Sequence, residues 1–273
     1  MKNYQDFCND ISNTIFEIID RNGSILKWQQ SWQVDGTLTL PVGTSGIYRG
    51  GNLFNLLTAQ VGKGYTKPVW VTFNQVNNLD GKVLKGAKSQ IVYFWKILNK
   101  SEVVDGKTVE KTTPLFKTYR VFNIEQTSLG DESIIINDNV SLTEILDNHN
   151  IEISTFGNQP RFNLNDDVII MPKQEYFNSN DDYHTTLLHE MIHWTGHTSR
   201  LNRFKAISYQ SKEYAEEELV AEIGSVFLAT HLGINGDLVN HASYVNSWKQ
   251  ELSPNDIMRA VNNAAKAFEY LIY

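Results

Sequence analysis

The sequence predicts an α+β fold, with a mixed sheet-and-helix first half and a mainly helical second half that holds a small sheet. Three observations carry this expectation. Between Leu26 and about Asn123, short aromatic and β-branched runs alternate with Gly, Asn and Asp, as strands and turns do. After Met171-Pro172, apolar residues recur at three- and four-residue spacings, as in amphipathic helices. Charge divides along the same line. Residues 1–130 carry 15 Lys+Arg against 10 Asp+Glu, while residues 131–273 carry 9 against 21 together with all seven histidines. Two domains are therefore expected, 1–130 and 131–273.

The first segment places Tyr4, Phe7, Cys8, Ile11, Ile15, Ile18 and Ile19 on one helical stripe, with Gly23 set to stop it. Strand-like runs follow at Tyr65–Phe73, Lys82–Leu84 around a turn at Asp80-Gly81, Ser89–Ile97 and Pro114–Phe122, and one helix is expected over Leu53–Gln60. Ser141-Leu-Thr-Glu144 reads as the capping box of a short helix among the strand-like runs of Ile134–Met171. Four helices complete the chain. They run over about Asp182–Thr195 up to Gly196, Lys212–His231 up to Gly233, Leu238–Leu252, and from the Ser253-Pro254 cap to Ile272.

Membrane and disulfide-stapled classes are excluded early. No apolar run approaches the roughly 20 residues of a membrane-spanning helix. Cys8, the one cysteine, has no partner in the chain, and MKNYQDFCND lacks a secretory layout, so a cytoplasmic protein is expected.

The sharpest chemical signal is His189-Glu190-Met191-Ile192-His193. At about 100° per residue the two histidines lie about 40° apart on one helix face. Two imidazoles so placed can share a divalent metal while Glu190 acts as general base on a water, the arrangement of zinc-dependent peptidases. Zinc is the default for such a site, and manganese is also accepted. A third His ten residues after the first would complete the longer metzincin pattern, but Ser199 stands there. His197 falls just past Gly196, where the helix should have turned, and is expected behind the ligands or in a structural role. The segment Glu213–Glu222 offers carboxylates instead. Projected on a helix, Glu218 and Glu222 fall on or beside the inward stripe and Glu217 falls on the far side, so Glu218 and Glu222 compete for the third ligand position.

The run Tyr183-His-Thr-Thr-Leu-Leu-His-Glu-Met-Ile-His-Trp-Thr-Gly-His197-Thr-Ser-Arg-Leu-Asn-Arg203, followed by Glu217-Glu-Leu-Val-Ala-Glu222, resembles the zincin-like domain of ArdC-type antirestriction proteins. Tyr48-Arg49-Gly50-Gly51-Asn52, Trp70-Val-Thr-Phe-Asn-Gln75, Gly81-Lys-Val-Leu-Lys-Gly86 and Val121-Phe-Asn-Ile-Glu-Gln126 resemble their N-terminal domain. The resemblance implies a single-stranded-DNA-binding domain joined to a metallopeptidase-like one, carried by mobile elements to protect incoming DNA from host defence. It further implies Glu218 as third metal ligand, with Glu222 orienting a ligand histidine from behind.

The basic half supports the same reading without the resemblance. From Lys63 to Arg120 there are 11 positive charges against four negative, interleaved with aromatic residues. Lysines that track phosphates and rings that stack bases hold single strands with little sequence preference. The candidate contacts are Arg49, Lys82, Lys85, Lys88, Tyr93 and Trp95, whereas Trp28 and Trp32 read as packing anchors. A protein substrate is expected at the acidic half. The alternative is a non-enzymatic coat on single-stranded DNA with a structural or inactive metal site. Tyr183, Tyr209, Tyr214 and His231 all qualify as electrophilic partner of the reaction.

Overall fold

The computed structural model describes residues 3–23, 25, 38–104, 107–130, 140–204, 211–236 and 250–273, with the backbone alone for 96–104, 107–111, 113 and 114. Trp28, Trp32, Tyr209 and all but the end of the helix expected over Leu238–Leu252 lie outside these residues. The fold is α+β as expected. Helices α1 (Tyr4–Asn22), α2 (Gly51–Lys63) and α3 (Phe73–Asn78) accompany strands β1 (Val42–Gly43), β2 (Gly46–Ile47), β3 (Trp70–Thr72), β4 (Gln90–Val104) and β5 (Lys107–Asn123). Then come α4 (Leu142–His149), β6 (Ile153–Thr155), β7 (Arg161–Asn163), β8 (Val168–Met171), α5 (Asn180–Thr195), α6 (Lys212–Leu232) and α7 (Pro254–Ile272).

Local chemistry explains most boundaries. Asn3, Ser141 and Ser253 each close a capping box with an acidic residue three positions on, and Gly23 and Gly233 end α1 and α6 in the left-handed region. The expected turn at Asp80-Gly81 does not join paired strands. Thr72 and Gln75 form a capping box that starts α3 where a strand was expected to continue, and Val83 makes only an isolated bridge to Thr127. The long hairpin is instead β4 with β5, in antiparallel register from Gln90↔Val121 to Val104↔Lys107.

This first sheet has the order β3-β5-β4. Register partners share a face, so Trp70, Val92 and Val121 lie on one side, where they pack on Leu56 of α2. Tyr93, Trp95 and Phe116 lie on the other, beneath Tyr4 and Phe7 of α1. Asn52 and Asn55 of α2 bond the backbone of β4 at Tyr93 and Ile91, satisfying part of the edge that β5 leaves open.

The second sheet, order β6-β8-β7, pairs β6 parallel and β7 antiparallel to β8. The helices α5, α6 and α7 pack together beside it. The main core is continuous across both halves of the sequence, joining Phe7, Ile11 and Ile15 of α1 and Phe54 of α2 to Ile192, Phe227 and Phe268. No helix among the described residues is long and apolar enough to cross a membrane.

One close approach sets the distance between the helices that matter most. A Cβ on Gly224 of α6 would lie 2.8 to 3.0 Å from three side-chain atoms of Ile192 on α5. Gly224→Ala should therefore lower stability in urea unfolding by about 1–3 kcal/mol through overpacking, although alanine is the better helix former by about 1 kcal/mol. Adding Ile192→Ala should recover part of that loss. A stabilised single variant would contradict the packing account.

Candidate metal centre

Ser179 caps α5 by accepting the Asp182 N–H at 3.0 Å, which starts the helix that carries His189, Glu190 and His193. Ser211 caps α6 in the same way through Tyr214, starting the helix that carries Glu217, Glu218 and Glu222. Packed at Ile192 and Gly224, the two helices bring their polar side chains together inside the core. His189 Nε2 and His193 Nε2 lie 3.2 Å apart, and the Glu218 carboxylate stands 3.6 Å from the first and 3.7 Å from the second. One ligand atom from each of these three buried residues falls within 4.8 Å of the others. Two imidazole nitrogens and a carboxylate converging on one point form a donor set that fits a divalent cation.

The orientation of His193 is fixed from behind. Its Nδ1 bonds Glu217 Oε1 at 3.2 Å, which leaves Nε2 to face the site. Glu217 in turn receives Arg203 Nε at 2.9 Å and an Arg203 terminal nitrogen at 2.8 Å. The same guanidinium donates to Thr195 Oγ1 at 2.8 Å and to the Ile192 carbonyl at 2.7 Å, so a cation closes the C-terminal end of α5. The tight turn after Gly196 makes this reach available, with Asn202 at φ 50° and Arg203 N bonded back to the Gly196 carbonyl.

The electrostatics follow from this crowding. Burial opposes the charge on His193, but the Glu217 hydrogen bond and the charges of Glu218, Glu190 and Glu217 outweigh it and raise its pKa to about 9. Burial pushes the Glu218 carboxyl up, yet His189, the charge on His193 and the Tyr214 hydroxyl hydrogen bond bring it down to about 2. For Glu217, burial is overcome by the bonds from His193 and Arg203, and its carboxyl is held below the ordinary range.

The centre opens on a cleft of about 410 Å³. Glu190, Tyr214, His189, His193 and Glu218 form its polar floor, and Phe162, Leu164, Phe177 and Phe204 form apolar walls. Of the candidates for electrophilic partner, Tyr214 lines this cleft. The Tyr183 ring packs edge-on against Phe177, and His231 lines a separate recess with His184.

One expectation needs correction, and the other candidate residues take the places described below. Glu217, read as an outer residue, is buried, because α6 is covered on nearly every side and the helical projection assumed a single inward stripe. Arg203 carries no sequence signal as a site residue, since the turn that brings it to Glu217 is not a periodic feature. Glu222 Oε1 accepts the Ile25 backbone N–H at 3.2 Å, linking the centre's helix to the first half of the chain. His197 lies in the turn, bonded to Ser199 and 3.9 Å from Asp167. Among the DNA candidates, Lys82, Lys85 and Lys88 are exposed in the loop before β4, and Arg49 is exposed 3.8 Å from Glu269. Tyr93 is stacked on Phe7 at 3.8 Å between centroids, so one face of its ring is already covered.

Comparisons with known proteins cover nearly the whole chain. Residues 3–122 match the family described as the N-terminal domain of anti-restriction factor ArdC, and residues 141–267 match the zincin-like metallopeptidase family. The chain is 32% identical to a DNA primase TraC of Escherichia coli over 272 residues, covering 90% of this chain but only 18% of that protein. The metal-free crystal structure of the antirestriction protein ArdC from plasmid R388 superposes with a TM-score of 0.78 at 31% identity, covering 97% of this chain and 96% of that one. The Mn(II)-bound structure of the same protein gives a TM-score of 0.75 at 32% identity, with the same coverage of both chains.

Two outcomes follow from the geometry. Glu217→Gln and Arg203→Met should each weaken Co(II) or Mn(II) binding about 10- to 100-fold by releasing His193, and Arg203→Lys should restore only part of it, lacking the planar fork. Unchanged affinity would contradict the orienting role. The raised pKa of His193 means that its charged pairing stabilises the metal-free protein fully below about 6.5 and is lost as pH rises through about 9. A cation must displace that proton, so its apparent affinity should climb roughly tenfold per pH unit towards about 9. A flat titration across that range would contradict it.

Proposed function

We infer the function of this chain from the family to which it belongs, the ArdC-type antirestriction proteins, together with the geometry of its centre. In this reading residues 1–130 bind single-stranded DNA and residues 131–273 carry a metal-dependent peptidase centre. The protein works in the cytoplasm, protecting DNA that arrives on a mobile element from host defence. The observation that carries the peptidase half is the convergence of His189, His193 and Glu218 beside Glu190 on the floor of an open cleft.

His189, His193 and Glu218 would hold one divalent cation, zinc by default and manganese as the other candidate. When bound, it supplies Lewis-acid polarisation of a water and of the scissile carbonyl. Glu190 is the general base. From the cleft floor it takes the water's proton and delivers it to the departing amine. Tyr214, which lines the cleft, gives up its hydrogen bond to Glu218 to donate that hydroxyl hydrogen to the oxygen that gains charge. Glu217 and Arg203 hold His193, and Glu222, buried one turn beyond Glu218, backs the centre from the same helix. The acidic surroundings of the second half favour a protein substrate over a nucleic acid.

Two experiments test the reading. Glu190→Gln should retain metal yet lose cleavage of DNA-bound proteins by about 10²- to 10⁴-fold. Metal-loaded wild type that cleaves nothing would leave a non-enzymatic coat as the function. Binding of labelled oligonucleotides across a salt series should favour single over double strands and weaken steeply with salt. Equal weak binding to both would remove the DNA half.

A further inference from the structure

The first sheet presents two aromatic faces, and they differ in what surrounds them. Tyr93, Trp95 and Phe116 form one cluster with Tyr4 and Phe7 of α1. That helix carries Asp6, Asp10, Glu17 and Asp20 against a single basic residue, Arg21, and Asp10 lines the recess beside Tyr93 and Arg120. A phosphate backbone laid across Trp95 would run along this acidic helix.

The opposite face is different. Below, Val92, Val121 and Trp70 are covered by α2. Above them, Phe94 and Tyr119 are 43% and 45% exposed, with ring centroids 6.4 Å apart and planes at 81°. Lys117 is the register partner of Phe94 on this face and is exposed. At the other end, Lys63 closes α2 with its ammonium 5.9 Å over the Tyr65 ring, which itself packs edge-on against Trp70. Burial lowers the Lys63 pKa, and the charge of Lys88, exposed in the loop before β4, adds to this. The acidic neighbour of Tyr65, Glu125, is turned inward onto the backbone N–H groups of Thr66 and Lys67 and the Thr66 hydroxyl.

We propose that this face is where a single DNA strand docks, its bases on Phe94 and Tyr119 and its phosphates on Lys117 at one end and the Lys63 and Lys88 pair at the other. The inference rests on the reading that the first half binds single-stranded DNA and specifies which surface does so. Two perpendicular rings give one base a stacking face and a side wall, a contact that tolerates any base. Trp95, the most exposed ring of the hairpin's described side chains at 58%, is on the wrong face for charge and is not part of the platform.

The test uses the full chain and a fluorescein-labelled 20-residue oligothymidine, read by anisotropy at fixed salt. Phe94→Ala and Tyr119→Ala should each weaken binding about 5- to 100-fold. Phe94→Tyr should keep it, and Trp95→Ala should change it less than about twofold. Lys117→Gln should reduce the salt dependence by roughly one phosphate contact, about 0.7 in log–log slope. Unchanged Co(II) affinity in each variant checks that the fold is intact. If wild type binds the oligonucleotide while Trp95→Ala loses it and the Phe94 and Tyr119 variants do not, or if all bind alike, the platform is overturned and the DNA reading stands. If wild type does not bind, the DNA reading itself fails.

Discussion

The hydrogen bond between His193 and the buried Glu217 is the interaction on which the rest of the centre depends. Three glutamates and two histidines meet between α5 and α6 inside a hydrophobic core. Such a group is tolerated only when its charges are matched. Arg203 does this for Glu217, and it also closes the C-terminal end of α5. Removing one partner of a buried pair of this kind leaves a charge without compensation and costs about 3–5 kcal/mol. The cost is what holds the His193 ring in one orientation, with Nε2 turned towards His189 and Glu218.

Packing supplies the second condition. Gly224 lets Ile192 come closer than any side chain would allow, so that α5 and α6 pack tightly beside the site. The backbone of the first half takes part as well. Ile25 donates to Glu222, and Asn262 of α7 receives the Gly51 N–H at the start of α2. A basic, aromatic half and an acidic, metal-binding half thus share one core, although their electrostatics are opposite.

Much of this was legible in the sequence where the signal was local. Caps at Ser141 and Ser253, stops at Gly23 and Gly233, and the spacing of His189 and His193 are short-range chemistry that survives folding unchanged. Helical projection leaves Glu218 and Glu222 as alternatives; in the fold Glu218 stands 3.6 and 3.7 Å from the two histidines, and Glu222 accepts the Ile25 N–H. Glu217 and Arg203 were not legible as a pair, since their contact depends on a nine-residue excursion from Thr195 whose shape no periodicity encodes. A strand with rings on both faces, as at Tyr93, Phe94 and Trp95, does not reveal which rings the helices will cover, and only the fold shows Phe7 of α1 stacked on Tyr93.

The central claim is that His189, His193 and Glu218 hold one metal, with His193 steered by Glu217. X-ray absorption at the metal edge of the zinc-loaded protein tests it most directly. The account predicts two imidazole ligands with oxygen completing the shell, one imidazole fewer in His193→Ala, and a more disordered imidazole shell in Glu217→Gln. A spectrum with a single imidazole, or one that His193→Ala leaves unchanged, would contradict it.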